Sequence, residues 1–258
     1  MKETVIVELE KPKLKNPVLI VGLPGKGNVG RVAVGYLVHQ LGARKLAELY
    51  SPFFFHFVMI HENLIHMLRN EFYYHRGDKR DFIFLIGDCQ TYDPKAHYEI
   101  SGKILEYVAK FGCKEVITIA GFETGRIVEK PSVLGTATDE EMVKKFEKSG
   151  IDFDPSKHVS TIVGTAGILI GLSKLYGMKG LCLLGETSGF PIVTDPNAAE
   201  AVLEKLQKIV GLKVDLKKLK EKVKEMHNFI RKLETLQEEA MRMMKSKVKK
   251  SEELKYIG

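Results

Sequence analysis

The sequence predicts an α/β protein, with helices packed around a largely parallel sheet, followed by a long helix and a flexible tail. Three observations carry that expectation. Apolar strand patterns alternate with helical ones through residues 1–212. A strand-like run, Val18-Leu19-Ile20-Val21, flows directly into a glycine-rich turn and then a helical pattern. After Gly211-Leu212 the spacing changes to alternating steps of three and four, a heptad seam.

The candidate strands are 4–9, 18–22, 46–50, 57–60, 64–68, 72–75, 82–86, 116–120, 130–134 and 181–184; several are β-branched or aromatic and end in Gly or Pro. The candidate helices are 29–41, 98–111, 139–148, 164–176 and 196–209. The last begins at Asp195-Pro196, Asp as N-cap and Pro at the first helical position. Residues 51–75 interrupt the alternation with hairpin-like strands. Leu216, Leu219, Val223, Met226, Ile230 and Leu233 form the seam, on an oligomerisation or packing helix over residues 213–245. Residues 246–258 read as a polar, mobile leash ending in the apolar knob Leu254-Lys255-Tyr256-Ile257-Gly258. The expected organisation is therefore a core domain (1–212), a helix (213–245) and a tail (246–258).

Bulk properties narrow the class. At 258 residues and 44% apolar composition the chain builds one sizeable core. No apolar run reaches membrane-spanning length, and no secretory signal is visible at the N-terminus. Cys89, Cys113 and Cys182 are widely spaced and odd in number, which fits reduced, buried thiols in a cytoplasmic setting. From Lys213 onward 14 Lys and Arg face 8 Asp and Glu, against 26 and 25 in residues 1–212. The basic excess sits in the C-terminal part, which lacks the interleaved aromatics of a base-stacking surface; a solvated helix face is favoured over a nucleic-acid site.

The turn after the first long apolar strand imitates two nucleotide signatures. Gly25-x-Gly27-x-x-Gly30 matches the dinucleotide fingerprint, with Glu48 near the place of a ribose-binding acid. Lys26 suggests a phosphate loop, but Gly27-Asn28 stand where Ser or Thr should hold magnesium. A ligand-free role for Gly22, Gly25, Gly27 and Gly30 as a structural loop is favoured, since glycines also permit tight turns and close helix–strand packing.

Other constellations carry weaker signals. His61-Glu62-Asn63-Leu64-Ile65-His66 resembles a zinc-protease motif with one residue too many, and Asn63 suggests a turn between two strands; an odd step would separate the histidines. Asp81, Asp88, Asp93 and His97 are expected around the loop after strand 82–86, as capping and turn residues before an acid–base pair. Glu123 and Glu186, each after a buried-strand pattern, are placed at strand carboxyl ends, where the expectation is that they face one crevice. Ser188 lacks the flanks of a nucleophile elbow. No catalytic residue, metal ligand or cofactor is assigned.

Several blocks taken together resemble the proteasome assembly chaperone family, in particular its archaeal members of the PbaA and PbaB type. They are Pro24-Gly25-Lys26-Gly27-Asn28-Val29-Gly30 with Tyr36-Leu37-Val38 and Leu41-Gly42-Ala43, then Glu48-Leu49-Tyr50-Ser51-Pro52, then Gly121-Phe122-Glu123-Thr124-Gly125, and finally Gly164-Thr165-Ala166-Gly167 with Leu183-Leu184-Gly185-Glu186-Thr187 and Asp195-Pro196-Asn197-Ala198-Ala199. The similarity spans roughly 17–233. It implies a three-layer α/β/α sandwich, distantly like nucleoside phosphorylases, acting without catalysis as a homo-oligomer. A tetramer or pentamer is the expected state, with hetero-oligomerisation with a homologue left open. It also implies the proteasome core particle as partner, met through C-terminal tails; Leu254, Lys255, Tyr256, Ile257 and Gly258 take that role here. Activators of that particle typically end in an apolar residue, a tyrosine and any residue. In this chain Tyr256 is third from the end and follows Lys255, so Ile257-Gly258 is the alternative anchor. The competing expectation is a phosphorylase-like or dinucleotide-binding enzyme using residues 25–30.

Overall fold

The computed structural model describes residues 1–126, 128–154, 159–188 and 194–221. The chain divides into two units, Met1–Leu216 and Lys217–Gly258. In the second, residues 217–221 are helical. The sequence places the helix from residue 213, but residues 213–216 are not helical, and of the seam Leu216 lies just before the helix while Leu219 lies in it. Val223, Met226, Ile230 and Leu233, and the tail residues Leu254 to Gly258, lie outside the described residues.

The first unit is built on an eight-stranded sheet. Its strands are β1 (Val5–Glu8), β2 (Val18–Gly22), β3 (Arg44–Tyr50), β6 (Asn70–His75), β7 (Phe82–Gly87), β8 (Glu115–Glu123), β9 (Val133–Ala137) and β10 (Lys179–Thr187). They lie in the order β1-β3-β6-β7-β2-β8-β10-β9. A separate hairpin pairs β4 (Val58–His61) with β5 (Leu64–Met67). The helices are α1 (Val29–Gln40), α2 (Pro94–Ala109), α3 (Glu140–Phe146), α4 (Thr165–Ser173) and α5 (Pro196–Val210).

The sheet corrects one expectation: it is mixed. β7, β2, β8 and β10 run parallel, while β1, β3 and β6 form an antiparallel flank and β9 closes the other edge antiparallel to β10. The cause is the β3–β6 segment. A parallel sheet needs a helical crossover between neighbours, and the chain from Tyr50 to Asn70 instead turns back through the β4–β5 hairpin.

Helices cover both faces, as a period-two reading of β10 demonstrates. A side chain at Gly185 would meet Val29 of α1 and Val202 of α5, whereas one at Gly180 would meet Ile170 and Ser173 of α4. Positions 180 and 185 differ by an odd step and so point to opposite faces. Leu19, Ile20, Ile117, Leu181 and Leu183 are fully or almost fully buried, as continuous apolar runs in a two-sided sheet require. On the antiparallel flank Phe72 packs its ring 4.9 Å from Tyr107 of α2. Each such burial contributes roughly 1.5–3 kcal/mol. The three cysteines are buried too, and burial pushes each thiol up to about 11, so none is a ready nucleophile.

α2 begins four residues earlier than expected. Asp93 accepts hydrogen bonds from the Lys95 and Ala96 amides, and Pro94 takes the first helical position. This repeats the Asp195-Pro196 device at α5, where Asp195 accepts from the Ala198 amide.

Candidate functional site

Ligands of α/β sheets gather at the carboxyl ends of parallel strands, so that rim is the place to look. The glycine turn stands there, after β2, and the structure shows what its glycines do. A Cβ at Gly22 would collide with the Gly30 carbonyl, and one at Gly30 with the Ile119 carbonyl of β8. Gly27 has φ +58, and its carbonyl accepts from the Asp195 amide at 2.7 Å. Asp195 in turn accepts from the Thr187 hydroxyl at 2.8 Å. The glycine turn, the end of β10 and the start of α5 thus tie into one another. Gly25 differs: its backbone is extended, and a Cβ there would find only the Gln90 amide at 3.7 Å.

The space left beside the turn is small. A cleft of about 80 Å³, lined by Leu23, Gly25, Lys26, Gln90, Val163 and Ala166 among others, opens there. Pockets for small ligands run to about 300–1,000 Å³, well above this volume. Gln90 spans it, donating to the Pro24 carbonyl and accepting from the Thr165 amide at the start of α4. Glu48, the proposed ribose acid, is two strands away, since β6 and β7 separate β3 from β2. It pairs with Lys45 and Arg69 at 3.0 and 3.3 Å, beside Glu71. Burial pushes its carboxyl up, but Tyr50 and those two cations outweigh burial and hold it below its ordinary value. A larger open groove of about 460 Å³ lies elsewhere, at the amino end of β7, between residues 75–82 and the end of α5.

The carboxylates singled out from sequence do not converge. Asp81 belongs to the opposite end of β7 from the other three residues, which corrects their grouping; it accepts from the Lys15 and Gly77 amides at 2.6 and 3.2 Å. Asp88 accepts from the Arg69 amide, and Asp93 caps α2. His97 Nδ1 lies 3.1 Å from the Thr165 hydroxyl, and burial pushes its pKa down, with Asp93 opposing. Glu123 and Glu186 also fail to share a crevice. Thr187, not Glu186, is opposite Glu123, so the two carboxylates project from opposite faces. Glu123 pairs with Lys26. Glu186 accepts from the Ser132 amide and hydroxyl; burial pushes its carboxyl up, but those bonds and the Arg126 charge bring it below the ordinary value.

His61 and His66 form the hairpin foreseen, with Glu62 and Asn63 both at positive φ, the signature of a two-residue type I′ turn. The expected separation of the rings is corrected: His66 is opposite Met59, two residues from His61, so both rings share a face at 6.4 Å between centroids. Among the described residues no three His, Cys, Asp or Glu side chains converge as a metal site. Among the same residues no helix is long and apolar enough to cross a membrane.

Sequence reasoning missed the most conspicuous surface on this rim. β3 runs parallel with β7 and β2, so the segment that follows it, carrying the β4–β5 hairpin, leaves from the rim of the glycine turn. Phe57, Ile60, Leu64, Ile65 and Met67 are exposed along it, Ile60 at 76% and Ile65 at 73%. Tyr92, 84% exposed on the loop after β7, packs edge-on against Phe55 at 5.2 Å. β4 and β5 lack polar–apolar alternation, which ordinarily signals burial, yet among the described residues both strands are exposed apart from half-buried His66.

The fold and its closed rim define a class of α/β protein in which the strand-end turns are packed on one another. Residues 19–234 match the PAC2 family, and the chain belongs to that family. It is similar to the crystal structure of Pyrococcus furiosus PbaB, an archaeal proteasome activator, at 40% identity and a TM-score of 0.86, covering 91% of this chain and 100% of that one. Pyrococcus furiosus PbaA, an archaeal homologue of proteasome-assembly chaperone, matches at 30% identity and a TM-score of 0.75, covering 95% and 98%. An uncharacterised protein of Methanocaldococcus jannaschii is 36% identical over 246 residues, covering 95% of this chain and 93% of the relative.

Proposed function

We propose that this protein is a non-enzymatic chaperone-type scaffold that assembles as a homo-oligomer and docks on the proteasome core particle through residues 254–258. The similarity to PbaB across nearly the whole of both chains supports the partner. The closed rim supports the absence of catalysis: its cleft is smaller than ordinary small-ligand pockets, Asp93 caps a helix, Glu123 pairs with Lys26, and Glu186 accepts from Ser132. The leash-and-knob pattern supports the docking element. A random coil of about 15 residues spans roughly 20 Å root-mean-square, and several tails on one body would turn weak terminal contacts into avidity.

The test is deletion of residues 256–258, read by binding to purified core particle. A loss of tenfold or more is expected, while the oligomeric state stays the same. Unchanged binding would remove the docking role.

A further inference from the structure

We propose that the β4–β5 hairpin, with the aromatic loop at its base, is the contact through which copies of this chain join. The hairpin is a two-stranded sheet, and such a sheet is marginal alone in water. Here Val58, Ile60, Ile65 and Met67 make one face wholly apolar and exposed, and Met59 and Leu64 stand exposed beside His61 and His66 on the other. With Phe53, Phe55, Phe57 and Tyr92, these side chains leave on the order of 1,000 Å² of largely apolar surface in water. The largest patch on a typical monomer is about 300–600 Å². One partner of a standard stable interface contributes about 800 Å². The area therefore matches what one subunit brings to a lasting contact.

Two features select a second copy as the occupant. β4 and β5 carry no Asp, Glu, Lys or Arg, so bringing like against like sets no equal charges together. Among the described residues each strand has only the other as ladder partner, which leaves each one edge unpaired there. An identical hairpin supplies a strand of the same apolar character to such an edge. The contact needs no residue of the tail, so it stands or falls apart from core-particle docking.

The experiment uses the full chain. Light scattering after size exclusion is run on wild type, on Ile60→Glu/Ile65→Glu, on Leu175→Glu as an exposed control elsewhere, and on a chain lacking residues 246–258. Wild type, the control and the truncation are expected to share one oligomeric mass. The double variant is expected to fall to the protomer mass of 29.1 kDa at micromolar concentration while keeping a cooperative unfolding transition, its midpoint lowered by the lost association. A second arm does not depend on that variant folding. Ile65→Cys is treated with a short bis-maleimide, to which the three buried native thiols are inert. A covalent dimer is expected for Ile65→Cys and none for Leu175→Cys.

The proposal is overturned if the double variant keeps the wild-type mass, or if wild type is itself a protomer. Loss of assembly on tail truncation alone would make the chain's own tail the occupant. Loss of core-particle binding with the mass retained would turn the hairpin toward that particle. Either result, or an absent cross-link, defeats the inference.

Discussion

Two regions of one rim differ in how they meet solvent. The glycine turn is closed by its own chain: Gly22 and Gly30 press backbone on backbone, and Asp195 and Thr187 fill the polar positions around Gly27. The hairpin beside it offers apolar side chains to water on both faces. The motif that looked most like a binding site is a packing joint, and the segment that interrupted the pattern is the open surface. Glycines tell where backbones must approach; they do not tell whether a ligand or another strand does the approaching.

The sharpest way to break this contrast is to add a methyl at the closed side. Gly30→Ala places a Cβ against the Ile119 carbonyl, backbone that has no rotamer to yield. A loss of about 3 kcal/mol or more is expected by denaturant titration. A variant as stable as wild type would mean that the turn has slack for a ligand.

A smaller effect comes from His97, which joins the start of α2 to Thr165 beside the cleft. Burial lowers its pKa, so the unfolded chain takes up the proton first as the pH falls. Its contribution is complete above the ordinary histidine value of about 6.5 and drains as the pH falls below it, until the folded ring also protonates. Thermal unfolding followed from pH 7 to pH 5 is expected to show a flatter decline in His97→Gln than in wild type. An identical decline would remove His97 as a stabilising link.

The smallest expected effect sharpens the comparison from within the motif. Gly25 is extended and open, so Gly25→Ala is expected to change stability by no more than about 0.5 kcal/mol, in the same titration. A large loss would place a hidden constraint at that residue.

Much of the fold was legible in the residues. Strand and helix patterns were local, and Asp195-Pro196 marked a helix start because an N-cap carboxylate and a proline act within one turn. The strand order was not legible, because a fully buried run such as Phe82 to Leu85 has the same appearance whether its neighbour runs parallel or antiparallel. The start of α2 at Pro94 was not legible because the helix opens with the polar and small residues Lys95 to His97, which hide the apolar period. Asp81 was assigned to the wrong end of its strand, and Glu123 and Glu186 to one face, because register is a long-range property. At the glycine turn the residue types tell that backbones can approach closely, but not what approaches them. The hairpin's exposure escaped, since an apolar strand without alternation ordinarily signals burial.

The antiparallel pairing of β3 with β6 has one more consequence. Those strands already run side by side, Leu49 opposite Asn70, before the chain departs into β4 and β5. The outlying ribbon is a loop extension on a finished ladder, so replacing residues 58–67 with a short polar turn should leave the body's topology whole. Evolution or an engineer can lengthen, blunt or exchange that finger without redesigning the palm.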